Sequence, residues 1–246
     1  LSACGGNRDD VHTRIEGDTL YLSGRGTVNH EDFGDFSPDN VVVEKGITGI
    51  GEGAFHMCGN MTEISLPEGV KSIGDGAFSA CSSLKTVTLP ESVKSIGEGA
   101  FRECSGLLLI SLPESVESIG QAAFYRCSSL MSITLPEGLK SIGDAAFNGC
   151  SSLTAITLPE GVKSIGEYAF LECSSLTSIT LPEGVESIGA GAFYGCSSLR
   201  SITLPDSVES IGAEAFTLCE SLTEVTLGTG LTAIKSGIDL SLIEWY

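Results

Sequence analysis

A motif of 23 residues repeats without insertion or deletion along most of this 246-residue chain. Eight of the nine cysteines mark it: Cys58, Cys81, Cys104, Cys127, Cys150, Cys173, Cys196 and Cys219. A phenylalanine stands three residues before each of them, and seven of the eight prolines, from Pro67 to Pro205, keep the same interval. A period of about 20 to 50 residues is typical of solenoids and repeat arrays. The sequence therefore predicts one extended domain of stacked, near-identical units.

Each repeat is predicted to contain several short elements. In the unit Leu158–Thr180 the apolar spacing changes along the repeat, so neither one helix nor one strand fits it. The stretch Leu176–Leu181 reads L-x-x-I-x-L and ends in strand-like alternation, and Pro182, which has no N–H to donate, stops that strand. A second short extended piece is predicted at Val185–Ile188. The segment Ala192–Cys196 is too short for a helix and is predicted to form one helical or 3₁₀ turn.

Stacking of the units would pair their strands at about 4.8 Å and form a continuous column-like core. One phenylalanine in each turn is then enough, which explains the aromatic content of only 7%. The pattern predicts the strands Val41–Val43, Ile64–Leu66, Val87–Leu89, Ile110–Leu112, Ile133–Leu135, Ile156–Leu158, Ile179–Leu181, Ile202–Leu204 and Val225–Leu227.

The full repeat pattern is L-P-x-x-V-x-S-I-G-x-x-A-F-x-x-C-x-S-L-x-x-I-x, from residue 41 to about residue 234. It closely resembles the BspA-type (Treponema-type) leucine-rich repeats of bacterial surface proteins. The resemblance implies a right-handed, curved leucine-rich repeat solenoid of short parallel β-strands. It also implies a secreted or surface-anchored protein that binds proteins or host surfaces, with no catalytic residues. No cofactor is expected.

Both ends of a solenoid expose apolar faces and need caps. Residues 1–40 are predicted to form an N-terminal β cap, because Val11–Glu16 and Leu20–Ser23 flank the hairpin turn Gly17–Asp18. This stretch is also similar to the β-hairpin that often precedes such repeats. Residues 41–227 are predicted to form the solenoid. Residues 228–246 are predicted to form a C-terminal cap over the last turn, the alternative being the edge of a longer protein.

The net charge of −19 argues against nucleic acid and anionic membranes as partners, since both are polyanions. No apolar run approaches the roughly 18 residues of a membrane helix, so no membrane insertion is expected. Leu1–Cys4 resembles a bacterial lipobox, in which Cys4 would carry a lipid. The competing interpretation places Cys4 inside the cap.

Several features that suggest chemistry have simpler structural explanations. The eight repeated cysteines lack the clustering of zinc ligands and are predicted to be reduced, buried and hydrophobic. The histidines His12, His30 and His56 have no partner spacing, and no known catalytic motif is present. The acidic row Glu68, Glu91, Glu114, Glu137, Glu160, Glu183 and Asp206 could collect Ca²⁺, but a solvated edge is the favoured interpretation.

The positions that vary on the predicted strand face are the informative ones. Leu108, Leu109 and Met131 fall on neighbouring turns where polar residues are usual, with Lys85 on the adjacent turn and Arg200 further along. An exposed apolar cluster with a polar rim marks a contact site. These five residues are the predicted partner-binding residues of a monomeric surface protein that engages protein or host extracellular matrix through a concave sheet. The alternative is a structural spacer whose surface residues have simply drifted.

Overall fold

The computed structural model describes residues 10–229, 233–234 and 243–245. The chain is a parallel β-solenoid of about nine turns, as the repeat predicts. The described residues contain a single short 3₁₀ helix, His30–Asp32. None of their helices is long and apolar enough to cross a bilayer.

The first ladder of parallel strands contains the L-x-x-I-x-L segments. Each strand pairs in register with the equivalent residues of a neighbouring turn, 23 positions away, for example Ile156 with Ile179. The strand pairing is interrupted between the turns of Ile133 and Ile156 and between those of Ile179 and Ile202. The strands start one residue before the predicted positions, and most also end one residue earlier. They are β5 Glu63–Ser65, β7 Thr86–Thr88, β9 Leu109–Ser111, β11 Ser132–Thr134, β13 Ala155–Thr157, β15 Ser178–Thr180, β17 Ser201–Leu204 and β19 Glu224–Leu227.

The second ladder contains the predicted shorter extended pieces, two residues in each turn of the solenoid. Serine pairs with serine and isoleucine with isoleucine along most of it. Its strands are β6 Ser72–Ile73, β8 Ser95–Ile96, β10 Ser118–Ile119, β12 Ser141–Ile142, β14 Ser164–Ile165, β16 Ser187–Ile188, β18 Ser210–Ile211 and β20 Ala233–Ile234.

The predicted N-terminal hairpin is confirmed. Strands β1 (Asp10–Glu16) and β2 (Thr19–Val28) pair antiparallel from Glu16 and Thr19 outward. Strand β2 is longer than predicted because it starts both ladders: its first half pairs in parallel with β3 (Asn40–Val43), and its second half with β4 (Ile47–Ile50). Leu20, Leu22 and Val28 of β2 are fully buried in the core that continues through the repeats.

The A-F-x-x-C segment, predicted to form one helical or 3₁₀ turn, has bonds of the 3₁₀ type and also forms a third hydrogen-bonded edge between turns. In one turn, the amides of Ala145, Phe147 and Gly149 donate to carbonyl oxygens of the next turn at 2.7–2.8 Å. The intervening amides bond locally, three residues back, as in a 3₁₀ turn. No helix results, because Ala145 and Gly149 adopt positive φ angles of 52° and 73°. The solenoid is therefore hydrogen-bonded along three edges.

A column of stacked phenylalanines occupies the core. Adjacent rings lie 5.3–5.5 Å apart and nearly parallel from Phe55 to Phe216. Phe33 adds a further ring at the N-terminal end, 5.5 Å from Phe55. It stands 22 rather than 23 residues before Phe55, so it falls outside the sequence register. Offset stacking of this kind adds to the energy of burial.

The glycine of most S-I-G segments allows adjacent turns to approach closely, Gly143 being the exception. A Cβ atom added at Gly120 would lie 2.5 Å from the backbone nitrogen of Glu98 and 2.5 Å from the carbonyl carbon of Gly97. Gly120 has no left-handed φ angle, so its own backbone conformation does not demand glycine. The requirement is steric and comes from the neighbouring turn.

The C-terminal end continues the stack with one further pairing. Strand β21 (Ile243–Trp245) lies parallel to β19, with Val225 opposite Ile243. The apolar side chains of the predicted C-terminal cap lie outside the residues whose side chains are described.

Candidate functional site

The sheet face is the exposed side of the first ladder together with the residue that precedes each strand. On each turn from Thr62 to Thr226 it presents three side chains, and all are exposed except the half-buried Thr226. Serine and threonine dominate it. Its only charged residues are Glu63, Lys85, Arg200 and Glu224.

An exposed apolar patch lies on this face, formed by Leu108, Leu109 and Met131. Their side chains are 40%, 57% and 57% exposed. The patch is contiguous: the Met131 amide donates to the Leu108 carbonyl oxygen at 2.9 Å, and Leu109 pairs with Ser132 of the Met131 turn. Burying three large apolar side chains would favour association, because it removes apolar surface from water.

The structure places one of the two predicted cations beside the patch. The Leu108 amide donates to the Lys85 carbonyl oxygen at 3.2 Å, so Lys85 lies on the adjacent turn. Arg200 lies three turns beyond Met131, roughly 14 Å away at about 4.8 Å a turn. The five predicted residues therefore share one face, but Arg200 is not part of the patch.

The acidic row runs along the edge where each strand ends. Its members are exposed, as the sequence predicts. Some also bond to the neighbouring turn: Glu114 Oε2 accepts the Glu137 amide at 3.0 Å, and Asp206 Oδ1 accepts the Thr229 amide at 2.8 Å. The acidic residues of the turn segments act alike, since Asp144 Oδ1 accepts the Glu167 amide at 2.8 Å. These carboxylates satisfy backbone donors, a role that the spacing alone did not reveal.

The column of cysteines is buried, as predicted, and each thiol from Cys81 to Cys219 has a defined partner. Cys127 Sγ donates to the Phe101 carbonyl oxygen at 3.1 Å, and the others repeat this bond at 3.0–3.1 Å. Burial raises the pKa of Cys58 to about 11 and the pKa values of Cys104 and Cys219 to about 12. The thiols are therefore neutral at pH 7, whereas nucleophilic and metal-binding cysteines act as thiolates.

Other concave surfaces lie away from the patch. A cleft of about 800 Å³ opens between residues 29–37 and the first A-F-x-x-C turn, and His30, His56 and Met57 line it. Tyr125 is flanked by the guanidinium groups of Arg102 and Arg126, at 4.9 and 5.3 Å.

Within the described part of the chain, no group of three or more His, Cys, Asp or Glu side chains is placed to hold a metal ion. Cys4, the candidate lipid-attachment residue, lies outside the described residues.

Comparison with known sequences supports the repeat assignment. The family model described as "BspA type Leucine rich repeat region (6 copies)" matches residues 27–154 and 140–238. No curated protein matches the chain at a significant level.

Solved structures show the same fold. A leucine-rich repeat protein from Bacteroides ovatus is 26% identical, with a TM-score of 0.62 over 98% of this chain and 78% of that one. The T. pallidum leucine-rich repeat protein is also 26% identical, with a TM-score of 0.60 over 87% of each chain. A leucine-rich repeat protein from Eubacterium ventriosum is 28% identical, with a TM-score of 0.54 over 87% of this chain and 68% of that one.

Proposed function

Because this chain belongs to the BspA-type leucine-rich repeat family, we propose that it is a bacterial surface or secreted protein that binds protein partners, including host extracellular matrix. It is proposed to act without catalysis and as a monomer. The observation that carries the proposal is the exposed patch of Leu108, Leu109 and Met131. On a face made mostly of hydroxyl side chains, this patch is where a partner would bury the most apolar area.

The net charge and the buried thiols favour a binding function over a catalytic one. The net charge of −19 disfavours nucleic acid and anionic membrane surfaces. Burial raises the pKa of thiols such as Cys127, which donates a hydrogen bond to the Phe101 carbonyl oxygen, so these cysteines stabilise the core. Attachment to the cell through Cys4 is a further part of the proposal. A Cys4→Ser variant of the full precursor should then move from the membrane fraction to the soluble fraction.

The binding proposal is tested with purified host matrix and serum proteins immobilised on a biosensor. A variant carrying Leu108→Asp, Leu109→Asp and Met131→Asp should lose at least about tenfold in affinity for any partner, since each apolar contact is replaced by a charge. The matched control carries Thr177→Asp, Ser178→Asp and Thr180→Asp, which add the same charge to the same face away from the patch. Equal losses in both variants would contradict the assignment of the patch.

The structural spacer remains the competing function, and the near-uniformity of the repeats favours it. The spacer is the better description under two conditions. None of the panel proteins, the immobilised matrix and serum proteins, binds the chain. In addition, removal of whole 23-residue units only brings a tag at the free end of the chain closer to the surface that carries the chain. Light scattering at increasing protein concentration tests the proposed monomer.

A further inference from the structure

The acidic row is a line of exposed carboxylates on consecutive turns of the solenoid. One carboxylate stands on each turn at about 4.8 Å spacing, from Glu68 to Asp206. In residues 10–229 none of the seven is in an ion pair. A neighbouring column of charged residues contains Lys71, Lys94, Glu117, Lys140, Lys163, Glu186 and Glu209. Ion pairs form within this column, between Lys94 and Glu117 at 3.4 Å and between Lys163 and Glu186 at 3.3 Å. Among the described residues, the carboxylates of the acidic row therefore have no cationic side chain within ion-pair distance.

The sheet face beside this row is uncharged over four consecutive turns. Between Leu108 and Thr180 its side chains are hydroxyl, methyl or larger apolar groups, with no lysine, arginine, aspartate or glutamate. Lys85 and Arg200 carry positive charge only beyond the two ends of this stretch. A cationic group approaching the middle of the face meets no like charge there, and the net charge of the whole protein attracts it.

The row and the face meet in one concave surface. A cleft of about 410 Å³ is lined by Thr134, Ala155 and Thr157 from the face and by Glu137 and Glu160 from the row. Met131 lies on the same turn as Thr134, three residues earlier, which is roughly 10 Å along an extended chain. One ligand segment can therefore contact the apolar patch and the carboxylates together.

We propose that the occupant of the sheet face is a lysine- or arginine-bearing polypeptide segment of a partner protein. Its apolar side chain packs on Leu108, Leu109 and Met131, and its cations pair with Glu114, Glu137 and Glu160. This inference rests on the proposed binding function and deepens it by giving the chemistry of the partner. The carboxylates supply orientation and fast association, whereas the patch supplies most of the desolvation energy.

The test uses the whole chain and three labelled synthetic peptides of equal length. One alternates lysine and leucine, one alternates glutamine and leucine, and one alternates lysine and serine. Fluorescence anisotropy should show that only the lysine–leucine peptide binds well, and that its affinity falls between about 50 and 500 mM NaCl because salt screens exposed charges.

Matched variants separate a specific site from general attraction. The row variant carries Glu114→Gln, Glu137→Gln and Glu160→Gln, and the side-chain amide oxygen that Glu114→Gln introduces can still accept the next turn's N–H. Its affinity for the lysine–leucine peptide should fall about tenfold, as expected for three exposed ion pairs. The control carries Glu98→Gln, Glu167→Gln and Glu172→Gln from the turn segments. It changes the net charge equally and should lose less than about threefold.

Equal losses in the two variants would overturn the proposal, because net charge alone would then explain binding. Equal affinity for the glutamine–leucine peptide would overturn it as well. A third outcome is that a matrix protein binds the aspartate-substituted patch variant more weakly but binds the row variant with unchanged affinity. This outcome would refute the cationic partner and leave the proposed function intact. Loss of peptide binding in the row variant, without any panel protein binding the chain, would support the site and count against host matrix as the partner.

Discussion

Substitution of Gly120 by alanine is expected to be among the most damaging single-atom additions to this protein. The new Cβ would lie 2.5 Å from Glu98 N, 2.5 Å from Gly97 C and 2.7 Å from Gly97 O. These contacts are roughly 1 Å shorter than an ordinary non-bonded contact. All three atoms belong to the backbone, so no side chain can rotate away to relieve the overlap.

The neighbouring hydrogen bonds resist the movement that would relieve this overlap. The Gly120 amide donates to the Ile96 carbonyl oxygen at 2.8 Å, and the Gly97 amide donates to the Ile73 carbonyl oxygen at 2.8 Å. Separating the two turns would lengthen such bonds along the three edges. Overpacking of a core costs about 1–3 kcal/mol, occasionally more, and we expect Gly120→Ala to cost about 3 kcal/mol or more.

Two other glycines provide matched controls. A Cβ at Gly138 would meet only the Val116 carbonyl oxygen, at 3.9 Å, and Gly138 has no positive φ angle. Gly138→Ala should therefore leave stability within about 1 kcal/mol of the original, and a gain is expected from the stiffer unfolded chain. Gly99 has φ +56° and its nearest neighbour is Arg102 Cβ at 3.6 Å, so Gly99→Ala should cost about 1 kcal/mol through its backbone conformation.

Urea unfolding followed by circular dichroism measures the three variants. With a slope of about 2 kcal/mol per M, Gly120→Ala should lower the midpoint by about 1.5 M, Gly99→Ala by about 0.5 M, and Gly138→Ala by little. If Gly120→Ala unfolds with the same midpoint as Gly138→Ala, close approach of the turns does not limit this position. If Gly99→Ala is the most damaging, backbone conformation is the dominant constraint instead.

Three further predictions concern the core and the edges. Burial raises the pKa of Cys58 to about 11 and that of Cys104 to about 12, while unfolded thiols ionise near 8.5–9. The stability that each buried thiol contributes is therefore full below about pH 8.5. It falls by about 1.4 kcal/mol per pH unit as the pH rises from the unfolded to the folded pKa. Urea midpoints that decline no more steeply between pH 9 and about 10.5 than those of a Cys104→Ala variant would contradict this for Cys104. Phe124→Ala should cost about 3–5 kcal/mol by the same assay, because the ring is fully buried between two others, and a cost below about 1 kcal/mol would refute the importance of the column. Asp144→Ala should cost about 1–2 kcal/mol through loss of the acceptor for the Glu167 amide, whereas Asp144→Asn should cost less; similar costs would count against that hydrogen bond.

The fold could be predicted from the sequence because one short pattern recurs in an unbroken register. An interval of 23 residues requires equivalent positions such as Ile156 and Ile179 to stack, and the structure pairs them directly. The alternation within L-x-x-I-x-L identified the strand, with an error of one residue at its boundaries. The apolar patch could be located for the same reason, since Leu108 and Met131 depart from an otherwise constant frame.

Contacts between turns could not be predicted in this way. Phe33, which follows the 3₁₀ helix His30–Asp32, falls one residue outside the register, yet its ring stacks on Phe55 and continues the column. The spacing predicts a helical or 3₁₀ turn for the A-F-x-x-C segment, and half of its amides do make bonds of the 3₁₀ type. The other amides bond to the neighbouring turn, and this pairing cannot be derived from a single repeat considered alone.

The sequence by itself determined the period, the stacking of like residues and the family, because these depend only on which residue recurs at which interval. The tertiary structure decided what each repeated residue does. It showed that Cys127 is held by a bond to the Phe101 carbonyl oxygen, that Gly120 is required by the backbone of the preceding turn, and that the acidic row borders the uncharged sheet face. These roles depend on atoms 22 to 26 residues away in the chain, whose distances exist only once the turns are packed together.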